Sequence, residues 1–298
     1  MERVVGWTIK AVVFSIVLAG CAGWGSSSAL AQGKSPRAGC EPDKVATKFP
    51  GIAGKTMRVG IAPDKPPGRY RDPQDPDKIV GYDPDLVEEV MNCLGVKYEF
   101  VATQFAGLIQ GIQAGQMDLV WSNLFYTPER AKVVDFVLYQ KTGDAVMVRK
   151  GNPKNIKAMQ DLCGLRASAS LGSVELAALE EGSAKCVATG KPAIVVSTYP
   201  NVAAVVRSLE NDRADAICME RVSLDQQVLD RPNDFERAFI LDGIEFKIGA
   251  AVINGNDRVL LPVFDAIKAI QADGTHPRIL QKHGVDPTLE LKAEIRRD

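Results

Sequence analysis

Histidine is scarce in this 298-residue chain: there are two, His276 and His283. Neither lies near a cysteine in sequence, and no C-x-x-C pair occurs. The ligand spacing of a zinc site is therefore missing. Both histidines sit near turns and read as structural or solvated. No metal and no other cofactor is expected. An excess of one charge is also lacking. Lys and Arg total 36 against 37 Asp and Glu, for a net charge of −1. That balance argues against a nucleic-acid partner. Beyond the N-terminus no stretch approaches the roughly 18 uninterrupted apolar residues of a membrane-spanning helix.

What is present at the N-terminus is a targeting segment, residues 1–31. Arg3 and Lys10 precede or flank the apolar run Ala11–Ala19, which is too short to cross a bilayer as a helix. Two processing readings stay open. Leu18-Ala19-Gly20-Cys21 resembles a lipobox, which would leave a lipid-anchored Cys21. Ala29-Leu30-Ala31 is a small-x-small site that would release a soluble product, and this reading is preferred. Both place the protein in the periplasm. The rest of the chain, about 265 residues, is enough for two lobes with separate cores. Its 46% hydrophobic and 24% charged residues suit a soluble globular protein.

Cysteine usage agrees with export, because an oxidising compartment permits disulfides. Sequence alone does not fix connectivity; Cys163 and Cys186, close in sequence, are the first expected pair. Cys40 and Cys93 form the next pair, tying an N-terminal arm to a helix end. Cys218 lies in the apolar run Ala216–Met219 and reads as a buried free thiol.

The chain is divided into an arm (32–54), a first lobe (55–144), a second lobe (145–240), and a return to the first lobe with a C-terminal helix (241–298). Thr56–Ile61 is the first strand. Pro63–Asp77 holds five prolines and four aspartates and reads as a long loop. Gly81-Tyr82-Asp83-Pro84-Asp85-Leu86 opens a helix, with Asp83 as its cap and Asp83 and Asp85 both structural. Gly95 stops that helix. Val96–Val101 is a strand and Leu108–Gly115 a helix stopped by glycine. The order β-α-β-α-β implies an α/β lobe with parallel strands and right-handed crossovers. Gly143–Lys154 and the region of Phe239–Val252 are the two hinge crossings. Val259–Ala272 is an amphipathic helix.

The organising stretch is Gly115–Tyr139. Met117–Trp121 is a buried strand. Ser122–Tyr126 is a polar-aromatic segment beyond its carboxyl end, with Asn123, Phe125 and Trp121 as candidate ligand contacts. Thr127-Pro128-Glu129-Arg130 starts a helix: Thr at the N-cap, Pro at the first helical position, Glu in the first turn. Ligands of open α/β sheets sit beyond the carboxyl ends of strands. Arg130 is thus placed to fork onto a ligand carboxylate.

T-P-E-R followed by V-D-F-x-x-x-Y resembles the periplasmic solute-binding proteins of family 3, the polar amino acid receptors of ABC transporters. The resemblance runs from about Gly54 to Gly284. It implies an α/β fold of two lobes, type II-like, each a mostly parallel sheet flanked by helices. It implies that Arg130 holds the ligand's α-carboxylate. Gly172-Ser173 matches the family's G-[TS], which adds backbone and hydroxyl donors to that carboxylate, although a Gly-Ser before a helix also serves simply as an N-cap. Asp212–Glu220 resembles the family's G-R-x-D-A strand, which ends on an acid for the α-ammonium; here that acid is Glu220. Three departures stand out. Phe125 replaces a small hydroxyl residue, Lys65 occupies the place of a stacking aromatic, and Glu220 stands where Asp is common. Trp121 and Phe125 are expected to form an aromatic wall. The side-chain specificity is unreadable from these residues.

Two functions follow. One is a monomeric binding protein that closes on an amino acid or small carboxylate and presents it to a membrane ABC permease. The other is an enzyme similar to cyclohexadienyl dehydratases, for which Glu220 and Lys65 are the nearby acid–base candidates. The binding protein is preferred.

Overall fold

The computed structural model describes residues 38–241 and 246–297. The expected targeting segment, Cys21 included, lies outside them. The arm, expected to be irregular, contains a short helix, α1 (Val45–Lys48), and Cys40 ties it to Cys93. The first strand, β1 (Thr56–Ile61), ends in three consecutive buried residues, as suits a strand covered on both faces. The proline-rich stretch that read as a loop holds a small antiparallel sheet of β2 (Asp64–Lys65), β3 (Arg69–Arg71) and β4 (Ile79–Val80). Proline removes a donor only at its own position, so the residues between the prolines still pair.

The first passage continues with α2 (Tyr82–Leu94), β5 (Lys97–Ala102), α3 (Leu108–Gln113), β6 (Leu119–Phe125), α4 (Pro128–Ala131) and β7 (Val134–Thr142). Gly143 then leads directly into β8 (Asp144–Arg149) of a second sheet. There follow β9 (Arg166–Ser170), α5 (Val174–Ala188), β10 (Val195–Tyr199), α6 (Val202–Glu210), β11 (Ala216–Glu220), α7 (Arg221–Asp230) and β12 (Phe235–Ile240). The chain returns with β13 (Phe246–Ile253), α8 (Asp257–Ala272), α9 (Thr275–Lys282) and β14 (Glu290–Arg296).

The first sheet has the order β14-β7-β13-β6-β1-β5 and the second β10-β9-β11-β8-β12. Each is parallel on one side only. β1 runs parallel to β5 and β6, and β9 to β10 and β11. The pairings of β7, β8, β12, β13 and β14 are antiparallel. The parallel side is built by crossovers, as the β-α-β order implies. The antiparallel side is built by strands that carry the chain between the sheets and back, so they run against their neighbours.

Each sheet is covered on both faces. Trp121, Val137 and Tyr139 pack toward α2 and α8, and Val120, Leu124 and Phe136 pack toward α3. In the second sheet Val146 and Cys218 pack toward α5, and Met147 and Ile217 toward α6 and α7. Cys218 is the buried free thiol expected, and both expected disulfides are formed.

Asp83 does not cap α2. The N-cap is Gly81, at φ +127°, and a side chain there would meet the Gly68 carbonyl oxygen at 2.3 Å. That close approach lets the carbonyls of Pro67 and Gly68 accept from the N–H groups of Tyr82 and Asp83, at 3.2 and 2.9 Å. The helix start is satisfied by backbone, and the Asp83 side chain is freed to turn inward. It faces Arg69 at 3.6 Å, with both side chains wholly buried, and the Tyr139 hydroxyl donates to it at 3.4 Å. Burial outweighs the guanidinium and pushes the Asp83 carboxyl up to about 6.

Three outcomes are expected. Asp83→Ala leaves a buried guanidinium without its counter-charge and should cost about 3–5 kcal/mol in urea unfolding; a loss under about 1 kcal/mol would show that the pair is not needed. Between the ordinary carboxylate value and about 6 the native state holds a proton that the unfolded chain has released, so this group's contribution to stability falls as pH rises through that window. Replacing Cys163 and Cys186 by Ser opens a loop of 23-residue separation, and should cost roughly 3 kcal/mol. An unchanged urea midpoint under oxidising conditions would contradict it.

Candidate functional site

The carboxyl ends of β6 in the first lobe and β9 and β11 in the second face a common interface. Thr127 caps α4 as expected, its hydroxyl accepting from the Arg130 N–H at 3.2 Å. This short helix aims Arg130 across the interface. One guanidinium nitrogen donates to the Phe125 carbonyl at 2.7 Å, the other to the Gly172 carbonyl of the second lobe at 3.1 Å. The group lies 5.5 Å from the Phe105 ring centroid. Among the described residues no carboxylate forms an ion pair with it. Burial lowers the Arg130 pKa, and Glu175 opposes that shift. A guanidinium held by two neutral carbonyls keeps donors for an incoming anion.

Gly172 and Ser173 are where the sequence put them, at the start of α5. The Ser173 hydroxyl accepts from the Leu176 N–H at 3.2 Å, and the Ser173 N–H closes the turn onto Ser170 at 3.2 Å. Capping therefore occupies part of this loop's donor set.

Trp121 and Phe125 do not stand together as a wall facing the other lobe. Trp121 is wholly buried and stacks on Tyr139 at 4.8 Å, with its indole N–H toward Asp83. Phe125 stacks on Phe246 at 5.0 Å, and its backbone carbonyl is what holds Arg130. Strand alternation puts both rings on the face covered by α2 and α8. Between them Asn123 adopts φ +49°, unusual for a residue inside a strand. Its amide is buried with neither atom hydrogen-bonded among the described residues. Ser122 beside it accepts from the Ala62 N–H at 2.9 Å.

Lys65 lies on β2, buried, with its ammonium 3.6 Å from Glu175 of α5 and 5.9 Å from the Phe105 ring. Asp64 reaches the same lobe from the rim, accepting from the Val202 N–H at 3.1 Å. With the Arg130–Gly172 bond, these contacts hold the lobes closed.

Glu220 ends β11 as expected and is wholly buried. It also caps α7, accepting from the N–H groups of Val222 and Ser223 at 3.1 and 2.9 Å, and it accepts from the Thr142 hydroxyl at the end of β7.

Four polar residues here escaped the sequence reading: Gln140, Thr142, Asp144 and Glu175. Gln140 and Asp144 are wholly buried, and neither side chain has a hydrogen-bond partner among the described residues. Burial, with Glu175 and Glu220 nearby, pushes the Asp144 carboxyl up to about 9, although Lys65 pulls the other way. The available signal was an acid opening an otherwise apolar strand, Asp144 before Ala145-Val146-Met147-Val148.

Bacterial extracellular solute-binding proteins, family 3, match over residues 57–286. The L-cystine-binding protein TcyJ of Escherichia coli (strain K12) is 28% identical over 238 residues, which span 78% of this chain and 84% of that protein. Among solved structures, an ancestral arginine-binding protein bound to arginine is 30% identical with a TM-score of 0.70, covering 78% of this chain and 99% of that one. The ancestral amino-acid-binding protein AncCDT-1, a precursor of cyclohexadienyl dehydratase, is 27% identical with a TM-score of 0.67, covering 81% and 98%. Two helix-flanked sheets facing each other, an arginine at their interface and a family match over most of the chain lead to one assignment: this protein belongs to the bacterial extracellular solute-binding proteins of family 3.

Proposed function

We propose that this protein is the periplasmic substrate-binding component of an ABC transporter. It holds an amino acid or a related small carboxylate between its lobes and delivers it to a membrane permease, acting as a monomer. The observation that carries the reading is Arg130: a half-buried guanidinium at the lobe interface whose partners are two carbonyls, one from each lobe. In this reading Arg130 grips the ligand's α-carboxylate, with Gly172 and Ser173 beside it. Glu220 receives the α-ammonium, and Asn123, with its unpaired amide, and Lys65 line the same space. Phe125 and Trp121 act from behind, by fixing the strand that presents Asn123 and the carbonyl that orients Arg130. The names of the relatives, a cystine-binding protein and a protein bound to arginine, support the amino-acid class.

Catalysis would need an acid and a base free to act on a substrate. Lys65 faces Glu175, and Glu220 caps a helix. Both candidates for proton transfer are thus already engaged, which favours binding.

Arg130→Ala removes a charge-assisted, bidentate contact worth on the order of 3 kcal/mol in a desolvated cleft. Calorimetric affinity for the best amino acid of a thermal-shift screen should fall at least ~100-fold with the thermal midpoint of the empty protein retained. Equal affinity in the variant would refute this placement of the site. Glu220→Gln should weaken an amino acid much more than its deaminated analogue. Comparing the two ligands removes the loss of capping that the substitution also causes. Equal losses would mean that Glu220 does not read the ammonium.

A further inference from the structure

Acids outnumber bases at the closed lobe interface, and burial leaves a proton on one of them, Asp144, while among the described residues no cation pairs with it in the proton's place. The first lobe contributes Lys65 and Arg130, and the second contributes Asp144, Glu175 and Glu220. Arg69 and Asp83 face each other and cancel. Asp64, half-buried at the rim, adds acid rather than base. The three second-lobe acids differ in what satisfies them. Glu175 has the Lys65 ammonium at 3.6 Å. Glu220 has two backbone N–H groups and the Thr142 hydroxyl. Asp144 feels the Lys65 ammonium, but it is wholly buried, and among the described residues neither oxygen has a hydrogen-bond partner.

Asp144 stands directly opposite Glu220 in the antiparallel ladder of β8 and β11. Directly opposed residues project to the same face of a sheet, so the two carboxyls lie side by side. The neighbours of Asp144 are the ion pair formed by Lys65 and Glu175 across the interface, and Glu220 itself. A ligand gripped by Arg130 and Glu220 therefore passes within reach of it.

We propose that the ligand is a dibasic α-amino acid of net charge +1, and that Asp144 receives its side-chain cation. The inference rests on the roles given above to Arg130 and Glu220. A zwitterion with an uncharged side chain places its carboxylate on Arg130 and its ammonium on Glu220, and leaves Asp144 bare. A dicarboxylic amino acid deepens the imbalance. A side chain ending in an ammonium or guanidinium group gives Asp144 a counter-charge and lets it ionise inside the closed interface. Buried carboxylates need such a partner, because an unpaired one is strongly unfavourable.

The test is calorimetric titration of the full protein with L-arginine and L-lysine, and with their uncharged near-isosteres L-citrulline and L-norleucine. The wild type should prefer the cationic member of each pair by at least ~100-fold, in the range expected for a close, desolvated charge pair. In Asp144→Asn that preference should collapse toward one. If Asp144→Asn fails to fold, the wild-type preference decides alone. A wild type that binds the uncharged members as tightly overturns the inference and leaves the Arg130 reading standing. Equal loss of both members in Asp144→Asn assigns the residue to the α-ammonium and also overturns it. Binding of no α-amino acid at all overturns the underlying reading and the inference with it.

Discussion

A closed interface held by charge is the constraint on which this structure turns. The hydrogen bonds and ion pairs that clamp the lobes include Arg130 to the Gly172 carbonyl, Lys65 to Glu175, and Asp64 to the Val202 N–H, with Val174 and Val222 of the second lobe adding a small apolar contact to the first-lobe core. Within each lobe the packing is instead apolar, around Trp121 and Tyr139 in one and Val146 and Leu179 in the other. The contrast has a mechanical consequence. Apolar burial gains roughly 25 cal/mol per Å² and resists opening. A desolvated ion pair returns much of its desolvation cost when water re-enters. The lobes can part without the cores loosening, as hinge closure around a ligand requires.

The crossing from β7 to β8 determines which groups move together. Gly143 accepts from the Arg221 N–H at 2.8 Å, and the Asp144 carbonyl accepts from the Leu241 N–H at 2.9 Å. Asp144 is also in register with Glu220. The start of β8 is thus fastened to the second lobe on two sides, and the two carboxyls form one rigid unit. Thr142, one residue before Gly143, bonds Glu220 from the end of the first sheet. The acid proposed to read the α-ammonium is therefore tied to the crossing itself, so a change at that carboxylate is felt where the lobes articulate.

What the sequence could disclose follows the range of the physics involved. The Thr127-Pro128 helix start, the glycine stop at Gly95 and the acid at the end of β11 are decided within a few residues, and each was legible. The disulfides were expected from sequence closeness and from export, and the structure forms both expected pairs, although sequence alone does not fix connectivity. Asp83 misled because its capping role depends on Gly68, which lies fifteen positions earlier and brings a carbonyl against Gly81. The antiparallel side of each sheet, and β14 at its edge, follow from where the chain returns rather than from local pattern. Asp144 was missed for the same reason. Its neighbours Lys65, Glu175 and Glu220 come from three distant segments. Alone it is one acid at the start of a strand.

An unmatched carboxylate has an effect on closure as well as on selectivity. In the empty closed state Asp144 is buried without a partner, and such a group costs several kcal/mol or must take up a proton. In an open state water reaches it and the cost disappears. The charge imbalance therefore biases the unliganded protein toward opening. A ligand shifts such an equilibrium only by its differential affinity for the two states. A cation placed against Asp144 gains little in the open form, where water already solvates both charges, and most in the closed form, where it removes the penalty. On the proposal made for Asp144, the same contact selects the ligand and drives the lobes together. A neutral amino acid, held by Arg130 and Glu220 alone, would have to close the interface against an acid that it leaves buried and unpaired.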